Sequence, residues 1–154
     1  YLDLSFNRLR KIEALAGLTN LAALLVSHNN LADVSPVFGL PRLNSLHLDG
    51  NRVRSLEGIG GLKRLDLLSA ANNRISKLEP LGELTNLRFL SLEENRVRDL
   101  RPLVDMAEQD ANGERRFAPF LRLYLQGNRL DGKPARSQLD WLREIGVKVH
   151  YEPA

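Results

Sequence analysis

One asparagine column constrains this chain more than any other feature. Asn7, Asn29, Asn51, Asn73 and Asn95 follow one another at a step of 22, and Asn128 follows after a step of 33, one unit plus 11 residues. A chain of 154 residues would ordinarily make one rounded core. A fixed internal period overrides that default, because stacked copies of one unit bury a long thin core in which each unit touches mainly its neighbours.

The stretch Leu87 to Val97, LRFLSLEENRV, shows the unit's logic. Leu87, Leu90 and Leu92 precede Asn95, and Val97 follows it. Alternation with period two sends Leu90 and Leu92 into the core from a short strand and turns the residues flanking Leu90 outward. Successive strands then pair in parallel about 4.8 Å apart, so six of them span roughly 24 Å between the outer two. The asparagine falls where the chain leaves the strand, and its amide can satisfy backbone groups of the turn. The second half of each unit, as in LEPLGEL at Leu78 to Leu84, has apolar residues three apart with Pro36, Pro80, Pro102 or Gly58 among them. That spacing predicts short 3-10 turns. The inward column Leu18, Leu40, Leu62 and Leu84 is completed by Met106.

After Met106 the rhythm breaks. Residues 107–118 are read as an insertion, a polar surface loop turning at Asn112-Gly113. The pattern resumes with Phe120, Leu123, Leu125, Asn128 and Leu130, giving six units over 1–131, the first truncated. Residues 132–154 read as a cap: Leu139, Leu142 and Ile145 at helical spacing, Ser137 as N-cap, Gly146 just past the end, and VKVHY as a last strand. Trp141 is expected to cover the core end. The first unit has no cap and the chain begins at Tyr1, as expected of a piece of a longer protein.

There is no cysteine, so disulfide-clamped ends are excluded. Twenty-two basic residues nearly balance 19 acidic ones, a net charge of +3, so charge alone does not argue for nucleic acid. No apolar run approaches the roughly 20 residues of a membrane span.

The LxxLxL strand, the recurring asparagine, the LTNL openings at Leu18 to Leu21 and Leu84 to Leu87, and the Pro80-Leu81 and Pro102-Leu103 outer segments resemble the leucine-rich-repeat superfamily, 22-residue class. They are similar to bacterial internalins and, through LDLSFNRLRKIE at Leu2 to Glu13, to the nuclear leucine-rich-repeat regulator of a serine/threonine phosphatase. The resemblance covers residues 1 to about 106 and 120 to 131. It implies an α/β solenoid, a curved right-handed superhelix with a parallel sheet on the concave face and short 3-10 turns on the convex face. It also implies a protein-binding concave surface.

Two columns flank the middle leucines: Tyr1, Ala23, Ser45, Leu67, Phe89, Arg122, and Asp3, Leu25, His47, Ser69, Ser91, Tyr124. Leu25, Leu67, Phe89 and Tyr124 read as an exposed apolar cluster rimmed by Arg88, Arg122, His47, Glu93 and Glu94. Aromatic anchors inside a charged rim are the make-up of a protein interface. Phe89, Tyr124 and Leu67 are the expected anchors, and Arg122, Arg88, His47 and Glu93 the specificity residues. A second column, Arg8, Asn30, Arg52, Arg74, Arg96 and Arg129, offers an anion or nucleic-acid surface. Glu13, Glu57, Glu79, Glu93 and Glu94 lie close enough in sequence to pair with it, and it has no aromatics for base stacking. Ser45, His47 and Asp49 share one strand face, but residues two apart stand about 6.7 Å apart along a strand, and a shallow sheet gives no oxyanion pocket. His28, His47 and His150 lack metal-ligand spacing. The sequence therefore reads as a recognition module for a protein partner, without cofactor, metal, enzymatic activity or a nucleic-acid partner. Its alternatives are an anion binder on the arginine edge and the targeting part of a larger enzyme.

Overall fold

The structure is a computed structural model that describes residues 1–153. Seven strands form one parallel sheet in chain order: β1 (Leu2–Asp3), β2 (Ala23–Leu25), β3 (Ser45–His47), β4 (Leu67–Ser69), β5 (Phe89–Ser91), β6 (Arg122–Tyr124) and β7 (Lys148–His150). The register never slips. Leu24, Leu46, Leu68, Leu90, Leu123 and Val149 lie side by side, and the five leucines among them are fully buried. A one-residue slip would turn this layer to solvent, which is what holds the pairing in phase. Behind the sheet the chain returns through 3-10 turns at Glu13–Leu15, Ser35–Val37, Ile59–Gly61, Glu79–Leu81 and Ala118–Phe120. Pro36 and Pro80 open two of them, where a missing N–H costs nothing.

The asparagines do more than finish their own turn. Asn73 Nδ2 donates to the Ala70 carbonyl of its own repeat and to the Leu48 carbonyl of the preceding one, while its Oδ1 accepts the Val53 N–H of that preceding repeat. Asn29, Asn51, Asn95 and Asn128 repeat this pattern, the last across the 11-residue interruption. Asn7 donates only to Leu4 and Ser5 of its own repeat. The residue before each asparagine is left-handed: Phe6, His28, Gly50, Asn72, Glu94 and Gly127 have φ between +52° and +75°. Only two are glycine, so four side chains accept a conformation that L-residues disfavour. Side chains in this column lie on the next repeat. Phe6 stacks on His28 with centroids 4.5 Å apart, and a Cβ on Gly50 or Gly127 would run into His28 or Glu94.

The interruption is not the surface loop its polarity suggests. The outer segment of the fifth repeat is an α-helix, α1 (Arg101–Ala111), running straight through Met106 into the inserted residues. Pro102 sits in its first turn, Asp99 accepts the Arg101 N–H, and Leu103, Val104, Met106 and Ala107 bury one face. Ala, Glu and Gln after Met106 are good helix formers, so nothing stops the helix where the repeat would have ended. Asp110 folds the chain back, its two oxygens accepting the Arg116 and Ala118 N–H groups at 2.7 and 2.8 Å. Phe117 then enters the core at 1% exposure. Phe120, expected in the leucine column, is instead 52% exposed, and Leu121 is buried in its place.

The cap helix α2 (Lys133–Glu144) starts after Gly132, five residues earlier than a Ser137 N-cap would place it, so Ser137 lies within the helix. Ala135, Leu139 and Leu142 bury its inner face and Ile145 is half-buried. Gly146 has φ +110°, and its N–H and that of Val147 close on the Arg143 and Leu142 carbonyls, a Schellman ending that aims the chain into β7. Gln138 accepts the Leu100 N–H and donates to Asp99, pinning α2 to the fifth repeat. Trp141 bridges the two helices, Nε1 donating to Glu108, but keeps 40% of its surface exposed rather than sealing the core. At the first repeat, Tyr1, Phe6 and Leu18 are exposed.

Asn73→Ala is expected to lower the unfolding free energy, measured by urea titration, by about 1–3 kcal/mol, because it orphans the buried Val53 N–H while the Leu48 and Ala70 carbonyls keep Asn51 and Asn95 as donors; Asn7→Ala costs a fraction of that. Phe117→Ala is expected to cost about 3–5 kcal/mol and Phe120→Ala well under 1, the reverse of what the leucine spacing alone implies.

Candidate functional site

The outward residues of β2 to β7 make two straight rows. Leu25, His47, Ser69, Ser91, Tyr124 and His150 form one, and Ala23, Ser45, Leu67, Phe89, Arg122 and Lys148 the other. The register that aligns the buried leucines aligns these rows as well. Leu25, Leu67, Phe89 and Tyr124 are half-buried rather than exposed, because parallel neighbours at strand spacing tile against each other. Phe89 lies 5.0 Å from Tyr124, ring to ring, at 36°, and Tyr124 stacks on His150 at 4.3 Å and 4°. A continuous aromatic strip thus crosses β5, β6 and β7. Arg88 extends it differently, its guanidinium 5.5 Å over the Phe120 ring that the core left outside.

His150 and Lys148 are additions that the repeat pattern does not supply. Their signal was the alternation in VKVHY, which becomes informative only once that strand is paired beside β6. His47 and His150 therefore share one row, with three strands between them.

Polar residues fill the other half of the face. Asp49 accepts from Ser69 Oγ at 2.8 Å and from the Ala71 N–H at 2.7 Å. Ser45 Oγ and His47 Nε2 lie 3.1 Å apart, so the side chains converge where strand geometry alone would have them diverge. Asp49 is taken up by Ser69 and Ala71, and no hydrogen bond links it to His47, so these residues do not form a serine, histidine and carboxylate relay. Asp3, at the far end of the row, is held below the ordinary carboxylate range chiefly by the Ser5 N–H, with a smaller effect from His47. Glu93 is half-buried and accepts from Ser91 at 3.4 Å, while Arg88 and Arg122 are exposed.

The arginine edge is not internally paired. Among the described residues the ion pairs are Lys63 with Glu83, Arg101 with Asp105, Arg116 with Glu114 and Arg143 with Asp140, none of them on that edge.

A family model described as leucine rich repeats (2 copies) matches residues 62–104. No curated protein matches. A leucine-rich-repeat protein of Leptospira interrogans superposes with a TM-score of 0.79 at 26% identity, over 99% of this chain and 36% of that one. An internalin of Listeria monocytogenes superposes with a TM-score of 0.73 at 22% identity, over 94% of this chain and 38% of its own. The chain thus spans little more than a third of either. Residues 62–104 thus match leucine-rich repeats, and the fold of the whole chain is similar to that of leucine-rich-repeat proteins. Proteins of this superfamily are generally protein-interaction modules. No helix of the described residues is long and apolar enough to cross a membrane.

The Tyr124–His150 stack should shift the His150 ring protons upfield in the NMR spectrum, and Tyr124→Ala should abolish the shift; an unshifted His150 in the wild type would mean that β7 does not carry it against β6.

Proposed function

We propose that this chain recognises a protein partner through the solvent face of its sheet, at Phe89 and Tyr124, with His150 joining them. The observation that carries the reading is the aromatic strip itself, three rings in successive contact and presented to solvent, two of them on β5 and β6, whose backbones are paired on both sides, and the third on the edge strand β7. Rings already ordered by stacking lose little entropy on association, and aromatic anchors supply most of the binding energy in protein interfaces. Leu67 and Leu25 continue the apolar ground toward β2. Arg88, Arg122, His47 and Glu93 surround it with charge and hydrogen-bonding groups that select among partners by complementarity and set the association rate. The module binds rather than catalyses, and takes no cofactor.

Capture of proteins from a lysate of the source organism, with the captured protein then purified and its affinity measured, tests this. Phe89→Ala with Tyr124→Ala should weaken that affinity by about a hundredfold, since two central anchors are worth roughly 3 kcal/mol together, and raising salt should change it only modestly. A partner bound equally well by the double variant would place recognition elsewhere.

A further inference from the structure

We propose that the edge carrying Arg52, Arg74, Arg96 and Arg129 is a second docking surface, separate from the aromatic strip, and that it takes an acidic polypeptide segment. The inference does not rest on the concave-face reading. These four arginines follow their ladder asparagines directly, and their backbone N–H groups donate to Leu31, Val53, Ile75 and Val97 of the preceding repeat at 2.8 to 3.0 Å. That second ladder fixes their Cα atoms in a row at the repeat step of about 4.8 Å.

Like charges stacked at this spacing repel, and a fold usually answers them with nearby carboxylates. Here it does not. No guanidinium of the four makes an ion pair or a hydrogen bond among the described residues. Asp99 Oδ1 accepts instead from the Arg101 N–H and from Gln138. Beside Arg96 and Arg129 the surface is hollowed into a cavity of about 400 Å³, whose lining also includes Lys77, Arg98, Glu79 and Asp99.

The chemistry of the row selects the ligand. Guanidinium forks match carboxylates in paired hydrogen bonds. On a helix, acidic residues at i and i+4 stand about 5–6 Å apart, close to the arginine step. A nucleic acid fits worse, because the edge offers no aromatic ring for base stacking.

The test uses fluorescence anisotropy at low salt with three labelled probes: a helix-forming peptide with glutamate at i, i+4 spacing, its glutamine counterpart, and single-stranded oligothymidylate. The wild-type chain should bind the glutamate peptide and not the glutamine one. Arg96→Gln with Arg129→Gln, and independently Arg74→Gln with Arg98→Gln, should each weaken binding about tenfold. Arg42→Gln with Arg64→Gln, which removes equal charge off the row, should leave it within about twofold, as should Phe89→Ala with Tyr124→Ala. Arg96, Arg98 and Arg129 are exposed and Arg74 is half-buried, and circular dichroism is the check that each variant is folded. Equal binding of both peptides, indifference to both row variants, or tighter binding of oligothymidylate than of the glutamate peptide would each overturn the proposal.

Discussion

The amide of a buried asparagine, shared between two repeats, is the interaction on which the rest depends. Each ladder asparagine satisfies carbonyls in its own turn and in the turn before it, and receives an N–H from the repeat before it. Without it, the chain leaving each strand would bury unpaired backbone groups at every repeat, at about 1–3 kcal/mol each. Among the described residues no buried side-chain polar atom lacks a partner. Because the amide reaches backward, it sets the distance and phase of one repeat against the last. The leucine layer, the outward rows and the arginine row are all consequences of that phase.

The same bond explains how the chain absorbs an interruption. Asn128 reaches Leu92 and Val97 across 36 and 31 residues with the same geometry that its predecessors use across 25 and 20. The extra residues are thrown to the outer side, where α1 lengthens and packs against α2, and the sheet passes from β5 to β6 undisturbed. An insertion that might have broken the solenoid thus buries Phe117 instead and leaves Phe120 outside, against Arg88.

What was legible in the sequence follows from this. A period of 22 and alternating leucines suffice to derive the parallel sheet, its register, the 3-10 turns and the outward rows, because each is a local rule applied repeatedly. The left-handed column could have been inferred from Gly50 and Gly127 at matching positions, but His28, Asn72 and Glu94 conceal it. Where the period fails, so does the reading. The α1 extension, the start of α2 after Gly132 and the exchange of Phe120 for Leu121 are settled by packing between helices, which spacing does not encode. The convergence of Ser45 on His47 and the unpaired arginine row depend on side-chain rotamers, which one sequence leaves open. His150 is the instructive case, since its place in the aromatic strip depends on a strand pairing outside the repeats.

Native-state hydrogen exchange on the amides that donate to the ladder tests the central claim most directly. The Leu31, Val53 and Ile75 N–H groups, each held by the asparagine of the following repeat, should exchange only through cooperative unfolding and report its full free energy. Leu9, which lies in the exposed first repeat and is held by Asn29 of the second, should exchange faster. Exchange of the three interior amides through local opening, at a free energy well below that of global unfolding, would contradict the account, because the ladder would then not be what holds the repeats in phase.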